Sequence, residues 1–257
     1  MKKILVTGGT GFIGSNIVKY LIKEKYHVVV YDNNSRGKLE NLNDYEESFE
    51  YINGDIRDIN TLIKHSKEIN TIVHLAYING TKNFYTKPYE ILEIATKGMN
   101  NVIDVMKINN IDNLILASSS EVYQEPKIIP TDEKIPLSVP DVFNPRLSYG
   151  GGKIISELIS INFARTYNKN LKIFRPHNVF GPNMGNDHVI PEFINKILKQ
   201  SSKDEIILEI QGTGEETRSF IYIDDFINGF ELVLNYGENL NIYNIGTEEE
   251  VSINQVI

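Results

Sequence analysis

The 257-residue chain has no cysteine, which excludes disulfides, thiolate metal sites and a catalytic thiol and gives no reason to place it in an oxidising compartment. Nor has it a basic excess: 26 Lys and Arg stand against 34 Asp and Glu, for a net charge of −8. Nucleic acid is therefore not an expected partner, because binding a phosphate backbone calls for a basic stripe. Long apolar runs are missing too. Met1-Lys2-Lys3 precedes only a few apolar residues before glycines interrupt them, a pattern of neither a secretory signal nor a spanning helix, so no membrane partner is expected and the cytoplasm is the default location. The five histidines, at 27, 65, 74, 177 and 188, lack metal-ligand spacing. They read as packing or hydrogen-bonding residues, and no metal is expected.

What is present begins at Thr7, where TGGTGFIG follows the apolar run Ile4-Leu5-Val6 and precedes a helix-compatible stretch. Three of its four glycines thus fall where a strand turns into a helix, a place for a diphosphate. Gly8 suits the tight turn, Gly11 a close approach of backbone to pyrophosphate, and Gly14 close packing of helix on strand. The helix start at Phe12 and Ile13 offers unpaired N–H groups and positive dipole. The next apolar run, His27 to Tyr31, ends in Asp32, at the spacing of about 20 residues expected of a carboxylate that binds the adenosine ribose hydroxyls. A P-loop is excluded because Ser15 and Asn16 follow where its lysine is required. Asp32 would repel a 2′-phosphate and so favours NAD over NADP; Arg36 is the one nearby residue that argues the other way.

Apolar runs bounded by turn residues recur at 2–7, 27–31, 49–52, 70–75, 113–118 and 171–175, and helix-like stretches lie around 12–24, 89–108 and 148–167. This alternation predicts an α/β fold with a doubly wound parallel sheet of the Rossmann type. From about Phe180 the pattern changes to turns, a helix near 190–199, short strands near 206–210 and 219–223 and a helix near 224–236. The expected organisation is a dinucleotide-binding domain over 1–179 and a small α/β substrate lobe over 180–257, with segments that return to the sheet. Ser252 reads as an N-cap, and the apolar face begun by Ile253, Val256 and Ile257 stops after one turn. A truncated chain is therefore expected.

A second cluster, Tyr149-Gly150-Gly151-Gly152-Lys153, places a tyrosine and a lysine at i, i+4 on one helix face. A nearby ammonium favours the phenolate and would lower the tyrosine pKa from about 10 toward working pH, as a general base requires. The strand-like run Leu114 to Ala117 leads into Ser118-Ser119-Ser120-Glu121-Val122-Tyr123, which sets hydroxyls and a carboxylate at the carboxyl end of a central strand.

In order along the chain stand TGGTGFIG, Asp32, Gly54-Asp55-Ile56, His74-Leu75-Ala76, SSSEVY, YxxxK, the run Arg175 to Pro182 (RPHNVFGP) and the run Arg218 to Asp224 (RSFIYID). This series resembles the extended short-chain dehydrogenase/reductases, and within them the nucleotide-sugar epimerase/dehydratase family. The resemblance implies that Asp55 and Ile56 contact the adenine and that Leu75 and Ala76 border the cofactor's phosphate and ribose. It makes Ser119 the catalytic hydroxyl, Tyr149 the base and Lys153 the lysine on the nicotinamide ribose. Asn178 and Arg218 would hold the substrate's diphosphate, the arginine through bidentate bonds, while Ser120 and His177 would line the substrate cleft. The implied chemistry is C4 oxidation of a nucleotide-linked sugar by NAD to a 4-keto intermediate, with epimerised or oxidised product. Decarboxylation or dehydration is the alternative, and a non-catalytic NAD-binding regulator is the rival from another class. Glu121 bears on the outcome: dehydratases pair a glutamate here with a preceding Asp, where this chain has Ser120, and Ser-Glu is instead similar to UDP-glucuronate decarboxylases. Gln124, Ala95 and Tyr77 depart from the Gly, Asn and small residue usual at these positions, and the loop 125–145 is proline-rich. A homodimer built from the stretches 89–108 and 148–167 as a four-helix bundle is also implied.

Overall fold

The structure, a computed structural model, describes residues 2–185, 188–201, 206–210 and 212–257. Its first half alternates β1 (Lys3–Thr7), α1 (Phe12–Lys23), β2 (His27–Asp32), β3 (Phe49–Asn53), α2 (Ile59–His65) and β4 (Thr71–His74). Next come the short α3 (Thr81–Thr86), α4 (Pro88–Glu93), α5 (Met99–Ile108), β5 (Asn113–Ala117), α6 (Ser148–Tyr167) and β6 (Asn170–Pro176). Five of these strands and β10 (Asn241–Ile245) flank β1 in a seven-stranded sheet of order β10-β6-β5-β4-β1-β2-β3, with every pairing parallel. The doubly wound parallel sheet expected from the sequence is thus present. Its central strands are buried on both faces, which is why they read as near-continuous Val, Ile and Leu runs.

Alternate side chains of one strand feed two cores. Leu5, Ile72, Leu114 and Ile173 pack with Leu62, Val102, Met106 and Phe163 of α2, α5 and α6, while Ile4, Val6, Val73 and Phe174 pack with Ile17 and Leu21 of α1 and with Phe226 and Phe230. These last two lie on α8 (Ile223–Tyr236), which follows β7 (Asn178–Phe180), α7 (Val189–Lys199), β8 (Thr217–Arg218) and β9 (Phe220–Tyr222). β11 (Val251–Ser252) and α9 (Ile253–Val256) follow β10, and Ser252 caps α9 in a reciprocal capping box with Gln255.

Two expectations need correction. Residues 206–210 form no strand: side chains of α7 take their backbone groups instead, Lys196 Nζ donating to the Glu209 carbonyl at 2.7 Å and Gln200 Nε2 to that of Ile207 at 2.8 Å. The stretch 89–108 is not one regular helix either. A π-turn over Ile94–Gly98 joins α4 to α5, and there the Ala95 carbonyl accepts from Ser156 Oγ of α6 at 3.2 Å. The widened turn leaves that carbonyl to a neighbouring helix.

Candidate active site

Strand order reverses between β1 and β4, and the carboxyl ends of these strands are where an open α/β sheet binds its ligand. Gly8, Gly11 and Gly14 have the backbone space that their expected roles require. Gly8 has φ +74°, and a Cβ there would lie 2.7 Å from the Ala76 nitrogen. At Gly14 a Cβ would lie 2.0 Å from the Gly8 carbonyl, so the helix is seated directly on the turn, whereas at Gly11 it would meet only that same carbonyl at 3.4 Å. The backbone at Gly11 is therefore open to a ligand. No side chain caps α1, whose N-cap is Gly11, so the first-turn N–H groups of Phe12 and Ile13 face the place of an anion. Asp32 ends β2 beside this turn, its carboxylate accepting from the Thr10 N–H at 3.0 Å and the Asn34 N–H at 2.8 Å. A carboxylate oxygen has a further lone pair, so these bonds leave acceptor capacity for ribose hydroxyls. The donors, the open glycine and the acid fit a dinucleotide.

The neighbouring strand end is held by residues that sequence reasoning had not assigned to the site. Thr7 Oγ1 accepts from the N–H groups of Leu75 and Ala76 at 3.2 and 3.3 Å and is bonded to His74 Nδ1 at 2.7 Å. Burial, with Lys153 a smaller contributor, pushes the His74 pKa down to about 3, whereas an unfolded histidine titrates near 6.5. Between those values the unfolded chain binds the extra proton, so stability falls as pH drops from about 6.5 toward 3. In His74→Asn, the slope of unfolding free energy between about pH 6 and about pH 4 is expected to shrink by about one proton, ~1.4 kcal/mol per pH unit. Urea titrations at stepped pH measure it.

Asp55, at the end of β3, is paired with Arg57 at 2.7 Å and accepts from Asn33 Nδ2 at 3.0 Å; the Arg57 bonds hold its carboxyl below the usual range. Ile56 is buried, with its side chain in the core and its carbonyl bonded by Asn101. Arg36 reaches the Asn79 carbonyl beyond β4.

The chemical groups come together at the carboxyl end of β5. Ser119 Oγ accepts from the Glu121 N–H at 3.2 Å, capping a 3₁₀ turn over Ser120–Tyr123, and its hydroxyl is near enough to Tyr149 to favour the phenolate. Ser120 and Glu121 stand partly exposed on that turn. Lys153, only 4 % exposed, donates from Nζ to the Ala117 carbonyl at 2.8 Å. The three glycines between Tyr149 and Lys153 let α6 approach: a Cβ at Gly150 would lie 2.6 Å from the Glu121 carbonyl, and one at Gly152 would lie 2.2 Å from the Tyr77 hydroxyl. Gln124, where glycine is usual, has φ +55°, a left-handed backbone that explains the glycine; its side chain bonds the Glu121 carbonyl.

The expected depression of the tyrosine does not hold in this state. Burial, with the Glu121 carboxylate, pushes the Tyr149 pKa up to about 12, against a lowering by the Ser119 hydroxyl and by Arg36 and Arg146, and burial brings Lys153 down to about 7. The ammonium is turned toward the Ala117 carbonyl, so burial outweighs it at the phenol. Arg146, absent from the sequence reading, clamps Glu121 at 3.1 and 2.9 Å. It lies over the ring of Phe84, which stacks on Tyr149 at 4.8 Å. Only the tertiary fold joins positions 84, 121, 146 and 149, and no local spacing signals them.

The candidate substrate residues divide. Asn178 Nδ2 donates to the Ser219 carbonyl at 2.9 Å, next to the exposed Arg218, whose guanidinium donates to the Thr217 carbonyl. The β7–β9 pairing sets Asn178 beside Phe220, two residues after Arg218. His177 packs against Gly246, and its Nε2 is buried without a hydrogen-bond partner among the described residues. No helix among the described residues is long and apolar enough to cross a membrane.

Known proteins resemble this chain in sequence and fold. The chain is 35% identical to a putative UDP-glucose 4-epimerase of Methanocaldococcus jannaschii, over 98% of this chain and 79% of that protein. With UDP-glucuronic acid decarboxylase 1 of Xenopus tropicalis it shares 31% identity, over 99% of this chain and 58% of that protein. It therefore spans less than two thirds of the decarboxylase's length. A solved double mutant of the dTDP-glucose 4,6-dehydratase of Streptomyces venezuelae with NAD bound superposes with a TM-score of 0.89 at 26% identity, over 98% of this chain and 78% of that one. Residues 4–246 match the sequence profile described as the NAD dependent epimerase/dehydratase family, and with the glycine turn, Asp32 and the Ser119, Tyr149 and Lys153 cluster in their places, the chain belongs to that family.

Proposed function

We propose that the protein is an NAD-dependent enzyme that oxidises a nucleotide-linked sugar at C4, giving a 4-epimerised or 4-oxidised nucleotide sugar. The observation that carries this is the convergence of Ser119, Tyr149 and Lys153 at the end of β5, across the strand switch from the open glycine turn and Asp32. Tyr149 takes the proton of the sugar C4 hydroxyl, and Ser119 hydrogen-bonds the same oxygen, so that a 4-keto sugar forms. When bound, NAD supplies the hydride acceptor and, in its oxidised form, a positive ring that favours the phenolate. Gly8, Gly11, Phe12, Ile13 and Gly14 hold its diphosphate, and Asp32 the adenosine ribose. Asp55, Ile56, Leu75 and Ala76 border its adenosine side, and Lys153 the nicotinamide ribose. Asn178 and Arg218 hold the substrate's diphosphate, with Ser120 and His177 along the cleft.

One observation favours a second outcome. Glu121 is paired with Arg146 next to Tyr149, where a 4-epimerase or 4-dehydrogenase needs no such group; decarboxylation or dehydration at the keto sugar would use it. Incubation with NAD and a panel of nucleotide sugars, followed at 340 nm and by product mass, decides between them. Net NADH marks a dehydrogenase, an isomer of unchanged mass an epimerase, loss of carbon dioxide a decarboxylase and loss of water a dehydratase. No turnover and no NADH with any sugar would leave an NAD-binding regulator.

Asp32→Ala is expected to weaken NAD binding by about 1.5–3 kcal/mol for each charge-assisted bond lost. Calorimetry with NAD alone measures this, and unchanged affinity would remove Asp32 from the cofactor site. A homodimer through α4, α5 and α6 fits the exposed Tyr89, Leu158, Ile108 and Tyr167 on that face, since a two-fold axis would bury one apolar patch against its copy. Light scattering at micromolar concentration tests it.

A further inference from the structure

We propose that Tyr77 is a positioning residue for Lys153, the face of its ring holding the lysine ammonium at the head of α6. This deepens the role of the site proposed above and rests on the reading of Lys153 as the lysine beside the cofactor's nicotinamide ribose. Lys153 Nζ lies 3.9 Å from the Tyr77 ring centroid, against 5.8 Å from that of Tyr149. An ammonium has three donors, and the hydrogen bond found for this one among the described residues goes to the Ala117 carbonyl. Glu157, one turn further along α6, is engaged by Arg175 through both oxygens, at 2.9 and 2.7 Å. A ring face within about 6 Å is what remains to stabilise a nearly buried cation.

The surroundings point to the ring rather than to the hydroxyl. The Tyr77 hydroxyl is buried without a hydrogen-bond partner among the described residues, a cost in stability that the aromatic body has to offset. Space for it is made by Gly152, where a Cβ would lie 2.2 Å from that oxygen and 3.0 Å from the Ala95 side chain of the π-turn. The ring also meets Tyr149 edge-to-face, with centroids 5.3 Å apart and planes at 89°. One aromatic thus contacts both the base and the lysine. Since a small residue is usual at this position in the family that the chain resembles, the device belongs to this chain's own residues: Tyr77 fits against Gly152 and Ala95.

The titratable and charged groups facing Lys153 are Tyr77, His74 at the end of β4, and Tyr149 and Glu157 on α6. Burial lowers the Lys153 pKa and Glu157 opposes the shift. The test titrates Lys153 in the cofactor-free protein by the NMR signal of its 13C-labelled Cε, assigned with Lys153→Arg. Tyr77→Phe keeps the ring face and is expected to leave the midpoint unchanged. Tyr77→Leu fills a similar volume without a π face and is expected to lower it by about 0.5–1.5 units. An unchanged or raised midpoint in folded Tyr77→Leu would overturn the proposal. Should that variant not fold, 3,4,5-trifluorophenylalanine in place of Tyr77 keeps the ring's shape while removing the negative face. The same fall is expected there, and an unchanged midpoint has the same overturning force. Neither NAD nor sugar enters the titration, so its failure is distinguishable from a failure of the proposed function, which the nucleotide-sugar panel reads separately.

Discussion

Tyr149→Phe is expected to cut turnover by about 10²- to 10⁴-fold, the range typical of a lost proton transfer, while NAD and nucleotide-sugar affinities stay near those of the parent. The substitution removes one oxygen and keeps the ring, and the ring is what the fold uses. It stacks on Phe84 and meets Tyr77 edge-on, with centroids at 4.8 and 5.3 Å. Binding should survive because the glycine turn, Asp32, Asn178 and Arg218 are independent of the hydroxyl. Steady-state kinetics with the sugar that turns over in the panel, set beside calorimetry with each ligand, separate the two effects. A fall confined to kcat identifies an interaction made in the transition state. Parent-like activity would leave Tyr149 as a packing residue and overturn the proposed chemistry.

The largest effect on stability is expected at Arg175, whose side chain and that of its partner Glu157 are 2 % and 4 % exposed. Arg175 of β6 bonds Glu157 of α6 through two nitrogens, and its third donor group serves the Tyr123 hydroxyl at 2.7 Å and the Glu133 carbonyl at 3.1 Å. Tyr123 in turn donates to Asn244 of β10 at 2.7 Å. One guanidinium therefore joins the helix that bears Tyr149 and Lys153 to the sheet and to the loop before it. Arg175→Ala leaves Glu157 buried without its cation and should cost about 3–5 kcal/mol. The double variant Arg175→Met, Glu157→Leu removes both charges and should cost much less, because a buried pair only partly recovers its own desolvation. Urea unfolding of the single and double variants measures the difference, and equal losses would mean that packing, not the ion pair, holds the junction.

How much of this was legible beforehand can be argued from particular residues. The strand runs were legible because parallel strands buried on both faces must be apolar throughout, and α6 was placed at 148–167 because its periodicity is local. The glycine turn and Asp32 were legible because the glycines are close together in sequence and the acid ends the next apolar run. The sequence missed what depends on partners far along the chain. Residues 206–210 have strand-like composition but are bonded by α7 side chains, and the π-turn exists where Ala95 meets Ser156.

What the sequence by itself determined, then, is the parallel α/β architecture, the glycine turn ahead of α1, Asp32 at the end of β2 and the Tyr149 and Lys153 set on one helix face, since each is written in nearest-neighbour pattern or fixed spacing. Tertiary structure alone decided the electrostatic state of that set. Burial raises Tyr149 and lowers Lys153, Arg146 closes on Glu121 across 25 positions, and Tyr77 comes to rest under Lys153. Desolvation and charge pairing act through space, so they depend on which side chains the sheet brings together and not on their order in the chain.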